Sequence, residues 1–252
     1  TVRQRLSSVR TFLTWCSRSG LAADLGPQLA PLRRQYPKTY GKVQAKNPGR
    51  WLTREEAYDL LIGACRDGTV HGLRDEIGLR LGLSGMRLSE IVNLAWGDFD
   101  GVTRRITFTG KGRKPRTVTA GAALVDALDR YGAEYERRLG RPVTDADPIL
   151  CRRHPGPRST GLRWGVGLSD DALARVVAAR AQQAGLGHVA PHDLRRTAAG
   201  ILHSAVSPDG AHHFDLLDIQ RVLGHSDPAT TMRSYLEPMR TEVLDRAANF
   251  LD

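Results

Sequence analysis

Hydrophobic residues recur every three or four positions over much of this 252-residue chain, which is the spacing of one face of a helix. Near the N-terminus Leu6, Val9 and Leu13 follow this spacing within residues 3–19, and Gly20 is suited to end that helix. We therefore expect a mainly helical protein. Beyond position 50 the pattern predicts helices over about 53–66, 72–82, 87–95, 121–139, 169–184, 192–204, 215–223, 228–236 and 240–250.

Capping residues mark where several of these helices begin. Thr53 and Glu56 have the spacing of a capping box, in which each side chain accepts a hydrogen bond from the backbone of the other residue. Ser169 is followed by two acidic residues, which suits the positive end of a helix dipole. Asp227-Pro228 supplies an N-cap and a proline at the first helical position.

One stretch alternates in the manner of a β-hairpin. Ile106 and Phe108 on one side and Val118 on the other flank a turn rich in glycine and lysine, Gly110 to Pro115. Residues 151–168 contain many glycines and prolines, which predicts an irregular loop. The expected fold class is therefore mainly α with a small antiparallel β-sheet, an α+β architecture.

Proline and glycine interrupt regular structure between Gly20 and position 50, so that stretch is interpreted as a linker with a short helical piece inside. The next helix begins at a clear cap, Thr53. We expect a domain boundary near position 50, with one domain over residues 1–50 and another over residues 51–252.

The composition is that of a globular protein, since 40% of the residues are hydrophobic and 25% are charged. No apolar run approaches the roughly 18 residues that a membrane span needs, and the N-terminus lacks the pattern of a secretory signal. The three cysteines, Cys16, Cys65 and Cys151, lie far apart and form neither a disulfide framework nor a metal pair. These features favour a reducing, cytoplasmic setting and no membrane partner.

Positive charge is concentrated at the N-terminal end. The chain carries 37 basic and 27 acidic residues, a net charge of +10, and residues 1–50 contain ten of the basic residues but one acidic residue, Asp24. This asymmetry is expected of a segment that contacts a polyanion. A solvated basic face is the alternative on charge alone.

The sequence lacks the phosphate-binding glycine patterns of nucleotide enzymes and the usual zinc and calcium patterns. His212 and His213 beside Asp209 and Asp215 suggest a metal site, but a polar surface turn around Ser207 to Gly210 explains them better. We therefore expect no metal and no cofactor.

Five local strings stand out in the remaining sequence. They are SGMRLSEIVNL (Ser84 to Leu94), TGKGRKPR (Thr109 to Arg116), PHDLRRT (Pro191 to Thr197), LGHSD (Leu223 to Asp227) and TTMRSY (Thr230 to Tyr235). Together, and in this order, they closely resemble the tyrosine recombinase, or phage integrase, family over the chain from about Leu52 to the C-terminus.

The strings contain cations suited to a phosphodiester, whose oxygens gain negative charge in the transition state. Arg87 and Arg195 carry planar forks of donors that fit a phosphate. Glu90 lies one turn after Arg87 and resembles the carboxylate that supports it in the family. His192 and Arg195 share one helix face. A single arginine or histidine would more often be a surface ion pair or a core hydrogen bond; its place in a matched string is what favours a site.

The resemblance implies a catalytic set of Arg87, Lys111, His192, Arg195, His225 and Tyr235. Tyr235 would attack phosphorus, and His192 would take the phenolic proton. Lys111 in the hairpin would protonate the leaving 5′ oxygen, although Lys114 competes for that role. His225 would donate a hydrogen bond to the phosphate.

Other residues receive simpler expectations. Trp96 is expected in the core, and the five tyrosines outside the matched strings are expected to pack or to lie on the surface: Tyr36, Tyr40, Tyr58, Tyr131 and Tyr135. The candidate DNA-contacting residues are basic side chains of the N-terminal segment and of the hairpin: Arg3, Arg10, Lys42, Lys46, Lys114 and Arg116.

The sequence departs from the family's usual spacing in two places. Tyr235 follows His225 by ten positions, one more than is commonest in the family. The interval from Arg195 to His225 is several residues longer than usual, and we expect the excess to form a surface loop over residues 204–215.

The two ends of the chain resemble the family less specifically. Residues 1–50 resemble the last part of its helical core-binding domain, which clamps DNA, so we expect that further residues precede this chain. The C-terminal helix, with Leu244 and Phe250, resembles the segment that docks on a neighbouring protomer; packing on its own domain is the alternative.

The resemblance implies a site-specific DNA recombinase, an integrase of a mobile element that integrates or excises DNA. Its partners would be double-stranded DNA attachment sites, other copies in a homo-tetramer, and an accessory directionality factor. It would be cytoplasmic, and nucleoid-associated when bound to DNA. A DNA-binding regulator without catalysis and a type IB topoisomerase are the alternatives.

Overall fold

The computed structural model describes residues 12, 13, 15–17, 19–21, 23, 50–110, 115–155, 161–207 and 212–224. The chain divides into two units, Thr1–Pro48 and Gly49–Asp252. In the first unit, the described residues 12, 13 and 15–17 are helical. Gly20 follows them with a φ of 69°, and Leu21 N donates to Cys16 O over 2.9 Å. Gly20 thus ends this helix by the left-handed turn that its position predicts.

The second unit begins with the predicted capping box. Glu56 N donates to Thr53 Oγ1 over 3.1 Å, and Thr53 N donates to Glu56 Oε2 over 2.9 Å. The continuous helix expected to about residue 66 is replaced by a wider π-helix, Glu56–Leu61, and a 3₁₀ turn, Gly63–Cys65. The prediction was therefore right about the start of this element and wrong about its regularity.

Six α-helices follow among the described residues, and their positions agree closely with the hydrophobic pattern. The helix expected over 87–95 is shorter, because Arg87 has an extended backbone and Asn93 ends the helical turn. A 3₁₀ turn, Trp96–Asp98, comes after it. The helices are α1 (Val70–Leu83), α2 (Leu88–Val92), α3 (Ala122–Leu139), α4 (Asp170–Gln183), α5 (Pro191–Ser204) and α6 (Leu216–Leu223).

The predicted hairpin is present. Strands β2 (Arg105–Thr109) and β3 (Pro115–Thr119) pair antiparallel with Ile106 opposite Val118. A short strand β1 (Phe99–Asp100) pairs with the other edge of β2. Alternate residues of β2 are buried, as expected of a sheet with one face on the core.

Residues 151–168 contradict the predicted irregular loop. Strands β4 (Cys151–Arg153) and β5 (Leu162–Gly167) pair antiparallel and form a second small sheet. Strand β5 was not predicted because its glycines resemble those of a loop. The Tyr135 hydroxyl accepts a hydrogen bond from Gly165 N over 3.1 Å, so a residue 30 positions away supports the strand.

Helix α1 lies at the centre of the second unit, and Ile77, Leu79 and Leu81 are fully buried. It packs against α3 and α5. Gly82 permits the contact with α5, because a Cβ atom there would lie 2.8 Å from Leu194 Cδ1. Gly82 thus brings α1 and α5 close together.

The aromatic residues of α3 belong to the core. Tyr131 and Tyr135 are fully buried, and Trp96 is partly buried and stacks on Tyr131 with ring centroids 6.5 Å apart. Burial raises the pKa of both tyrosine hydroxyls. Tyr131 and Tyr135 thus pack in the core, which is one of the two positions expected for the tyrosines outside the matched strings. Tyr58 is partly exposed.

A buried ionic network, which the sequence pattern did not indicate, ties α1 to α4. Asp75 accepts from Arg180 Nε and from Arg74 Nε, each over 2.9 Å. Arg180 also donates to Asp67 over 2.8 Å. All the side chains except Asp67 are nearly inaccessible to solvent.

Other expectations fall partly or wholly outside the described residues. The helices expected over 228–236 and 240–250 do so, as do residues 208–211 of the expected surface loop. Val206 pairs with His212 across that gap. Among the helices that the structure describes, none combines the length and the apolarity needed to cross a bilayer.

Candidate active site

The structure brings Arg87 and Glu90 together at the start of α2. The Glu90 carboxylate accepts from Arg87 N over 2.8 Å and from Arg87 Nη1 over 2.6 Å. Glu90 is buried, with 4% of its side chain exposed, whereas 32% of the Arg87 side chain is exposed. A buried carboxylate therefore fixes the guanidinium from its inner side.

The other end of the Arg87 guanidinium reaches the far part of the sequence. Arg87 Nη2 donates to Gly224 O over 3.1 Å. Its remaining N–H groups have no partner among the residues in the described ranges, and the exposed part of the side chain faces solvent. Donors of a fixed guanidinium thus remain available to an anion.

Arg195 approaches the same place from α5. Only 4% of this residue is exposed, and its guanidinium donates to Gly85 O and, over 2.5 Å, to Leu223 O. The start of α5 is held by Asp193, which accepts from Ala190 N over 2.9 Å. His192 lies one turn before Arg195 on this helix and is exposed.

Arg116 on β3 is a third arginine at this place. Arg116 Nη1 donates to Glu90 Oε2 over 3.1 Å, and Nη2 donates to Val222 O. Its guanidinium carbon lies 5.6 Å from the centre of the Phe108 ring. Burial has the largest effect on the pKa of Arg116 and lowers it. The negative charge of Glu90 raises this pKa, and the positive charge of Arg87 lowers it further. Arg116 was expected to contact DNA, but its guanidinium is mostly buried and donates to protein groups.

The three arginines donate to successive carbonyls at the end of α6. A helix leaves its final carbonyls without backbone partners and carries a partial negative charge at that end. Here Val222 O, Leu223 O and Gly224 O each accept from one of the three guanidiniums. The end of α6 is therefore tied to α2, to β3 and to α5.

Two glycines allow this close approach. Gly85 and Gly224 have φ values of 82° and 60°, which favour glycine. A Cβ atom at Gly85 would lie 2.9 Å from Leu223 Cδ2, and one at Gly224 would lie 2.7 Å from Arg116 Nε. Together with the hydrogen bonds from Arg195 to Gly85 O and Leu223 O, these contacts bring four of the five strings found in the sequence together.

A cleft of about 500 Å³ opens beside Arg87. Its wall includes Glu90, Asn93 and Phe108, and it ends at Gly110, the residue before Lys111. A larger cleft of about 870 Å³, lined by α1, α4 and β4, contains none of the predicted site residues. Of the predicted site residues in the described ranges, Arg87 and Glu90 line the smaller cleft.

Several predicted site residues lie outside the described residues, so their positions stay predictions. They are Lys111, Lys114, His225 and Tyr235, together with the N-terminal Arg3, Arg10, Lys42 and Lys46.

The sequence of β3 contains a signal for the inward position of Arg116. Arg116 stands two residues before Val118, and side chains two apart on a strand share a face. Val118 is buried and Arg116 is partly buried on that face. Alternation along β3 thus indicated the core side.

The histidines near the expected surface loop form no metal site in the described ranges, where no group of three or more histidine, cysteine or acidic side chains could hold a metal ion. The His212 ring stacks on His203 at 4.9 Å, and its Nδ1 lies 2.9 Å from His203 O. Both His212 and His213 are exposed.

Comparisons with known proteins agree on one family. The sequence model described as "Phage integrase family" matches residues 50–241. The tyrosine recombinase XerC of Corynebacterium efficiens is 33% identical over 235 residues, which are 92% of this chain and 65% of that protein. XerD of Neisseria meningitidis serogroup B is 31% identical over 227 residues, 90% of this chain and 68% of that protein. The chain thus spans about two thirds of the length of these relatives.

A solved structure shares the fold. The XerH site-specific recombinase, in a post-cleavage complex with its palindromic difH substrate, superposes with a TM-score of 0.62 at 22% identity. The match covers 85% of this chain and 56% of that one.

Proposed function

This chain belongs to the phage integrase family, and we propose that it is a site-specific DNA recombinase that cleaves and rejoins double-stranded DNA through a 3′-phosphotyrosyl intermediate. The observation that carries the proposal is the convergence of Arg87 and Arg195 on the end of α6. The next residue after that end is His225, and Tyr235 follows ten positions later. These are the residue types that a phosphoryl transfer by fixed charges requires.

The fixed cations supply transition-state stabilisation. As the Tyr235 oxygen approaches phosphorus, negative charge accumulates on the non-bridging oxygens. Arg87 and Arg195 are already held by protein acceptors, so they stabilise that charge without reorganising first. Glu90 keeps Arg87 in this orientation. His225 donates a further hydrogen bond to a phosphate oxygen.

The bond changes balance within these residues. The Tyr235 oxygen forms a bond to phosphorus, and its proton passes to His192. The bond between phosphorus and the 5′ oxygen breaks, and Lys111 gives that oxygen a proton, so a free 5′ hydroxyl leaves. A 5′ hydroxyl of another strand then attacks the phosphotyrosine by the reverse steps. The phosphoryl bond is conserved, and strand exchange needs no nucleotide cofactor.

We propose that the biological setting is integration or excision of a mobile element. The enzyme works in the cytoplasm, at the nucleoid, as a homo-tetramer on two attachment sites. Its C-terminal helix is exchanged between protomers, and an accessory directionality factor selects the outcome. Residues 1–50, with their excess of basic side chains, clamp DNA, which makes binding strongly salt-dependent.

A covalent-adduct assay tests the activity. Duplexes bound by the protein are selected from a random-sequence DNA library, and the selected site is rebuilt with a nick that lets the cleaved end escape. We expect a denaturant-resistant protein–DNA adduct with the wild-type chain and with Tyr58→Phe, and none with Tyr235→Phe.

Other outcomes of that assay point to other activities. Specific binding without any adduct indicates a regulator that has the fold and lacks catalysis. An adduct accompanied by relaxation of any supercoiled plasmid, without strand exchange between two selected sites, indicates a type IB topoisomerase.

A further inference from the structure

We propose that Arg116 is a positioning residue, which holds the end of α6 in place and holds Glu90 in the position from which it orients Arg87. The role rests on the proposed function, because it is defined by strand cleavage. It replaces the simpler expectation that Arg116 contacts DNA.

The first argument is that the Arg116 guanidinium bridges two parts of the site. One edge donates to Glu90 Oε2 over 3.1 Å, and Nη2 donates to Val222 O and, over 3.4 Å, to Gly85 O. The Glu90 carboxylate thereby accepts hydrogen bonds from both Arg116 and Arg87. The hydrogen bond from Arg116 fixes the plane of that carboxylate, and the plane fixes the donors of Arg87.

The second argument is that the fold holds this side chain itself in place. Arg116 stands opposite Phe108 in the register of β2 and β3, and its guanidinium lies over that ring. Only 13% of the side chain is exposed, against 32% for Arg87. The position of the Arg116 guanidinium is therefore fixed by the Phe108 ring and by the protein groups to which it donates.

The third argument comes from Gly224. The space that a Cβ atom would fill at Gly224 is occupied by Arg116, whose Nε, Cδ and Cζ lie within 3.0 Å of that position. Arg116 therefore sets the path of the backbone immediately before His225.

The role requires the planar fork of an arginine, because lysine presents its donors from one point and cannot span from Glu90 to Val222.

The test compares three variants with the wild-type chain. Arg116→Met keeps much of the volume and removes the donors, Arg116→Lys keeps the charge, and Arg105→Met removes an exposed arginine from the neighbouring strand. For each variant we would measure the salt dependence of binding to the selected duplex, the rate of adduct formation, and amide hydrogen exchange of residues 219–224 without DNA.

We expect Arg116→Met to form adduct roughly 100-fold more slowly, because displacing a catalytic group by about 1 Å has effects of that order. Arg116→Lys should be slowed by at least ~10-fold, and Arg105→Met should match the wild type. The affinity for DNA and its salt slope should be unchanged in both Arg116 variants. Exchange of residues 219–224 should be at least ~10-fold faster in Arg116→Met.

Three results would overturn the proposal. Weaker DNA binding with a smaller salt slope and an unchanged cleavage rate would make Arg116 a phosphate contact. Full activity of Arg116→Lys would remove the need for the fork. Unchanged hydrogen exchange would show that Arg116 does not hold α6. If Arg116→Met fails to fold, Arg116→Lys carries the same three measurements. Absence of any adduct with the wild-type chain would reject the proposed function, and hydrogen exchange would still test the Arg116 contact.

Discussion

Gly224 and Arg116 are separated by more than a hundred residues in the sequence, yet a Cβ atom at Gly224 would lie 2.7 Å from Arg116 Nε. This closeness joins the hairpin strand β3 to the residue that precedes His225. A methyl group at position 224 would force the guanidinium to move and would also strain a backbone with a φ of 60°.

Gly224→Ala should therefore lose most of its cleavage activity. The left-handed backbone alone costs about 1–2 kcal/mol of folding stability for alanine. Gly187→Ala is the matched control, because Gly187 has a φ of 69° and nothing within 4 Å of its Cβ position. Gly224→Ala should lose at least as much stability as Gly187→Ala in urea titrations, because it also displaces Arg116. Adduct formation should fall by roughly 100-fold only in Gly224→Ala. Equal cleavage by the two variants would show that the contact with Arg116 is unimportant.

Glu90→Gln should leave two guanidiniums around a neutral amide. The amide accepts through one oxygen, so it cannot satisfy both Arg87 and Arg116 as the carboxylate does. We expect adduct formation to slow by roughly 10- to 100-fold, with DNA affinity retained. Glu55→Gln, at an exposed glutamate, is the control. A Glu90→Gln protein that cleaves at the wild-type rate would contradict the orienting role of Glu90.

How much of this site the sequence predicts depends on how local each interaction is. The contact between Arg87 and Glu90 spans three positions, and helical spacing makes it visible. The capping box of Thr53 and Glu56 and the hairpin pair Ile106 and Val118 are predictable for the same reason.

Interactions between distant segments were not predictable from local patterns. The contacts of Arg195 with Leu223 O and of Arg116 with Val222 O join residues far apart in the sequence. Strand β5 was missed because its glycines resemble a loop, and the hydroxyl of Tyr135 that supports it belongs to α3. The matched strings select candidate site residues, but they do not show which carbonyls hold them.

The buried ionic network gives a prediction about stability alone. Asp75→Asn leaves Arg74 and Arg180 as buried charges with a weaker acceptor, which should lower the free energy of unfolding by about 3–5 kcal/mol. Asp126→Asn breaks an exposed pair with Arg130 and should cost less than about 1 kcal/mol. Urea titrations measure both. Equal losses would mean that burial of the network contributes nothing.

Asp147 gives a prediction about pH. Hydrogen bonds from Arg141, and then from Thr144, hold the pKa of this carboxyl well below its usual range. A depressed pKa stabilises the folded state above the unfolded pKa of about 4, and that stability is lost as the pH falls towards the folded pKa. The stability difference between the wild type and Asp147→Asn should thus be full at pH 7 and should shrink below about pH 4. A difference independent of pH would reject this assignment.

The central claim is that Tyr235 becomes covalently joined to a 3′ phosphate of DNA. Trypsin releases Tyr235 in the peptide Ser234–Arg240, in which it is the only tyrosine. The most direct measurement is mass spectrometry of the adduct after digestion with nuclease and trypsin. The account predicts this peptide with a nucleotide attached through its 3′ phosphate to the phenolic oxygen. A nucleotide on any other peptide, or attached through a 5′ phosphate, would contradict it.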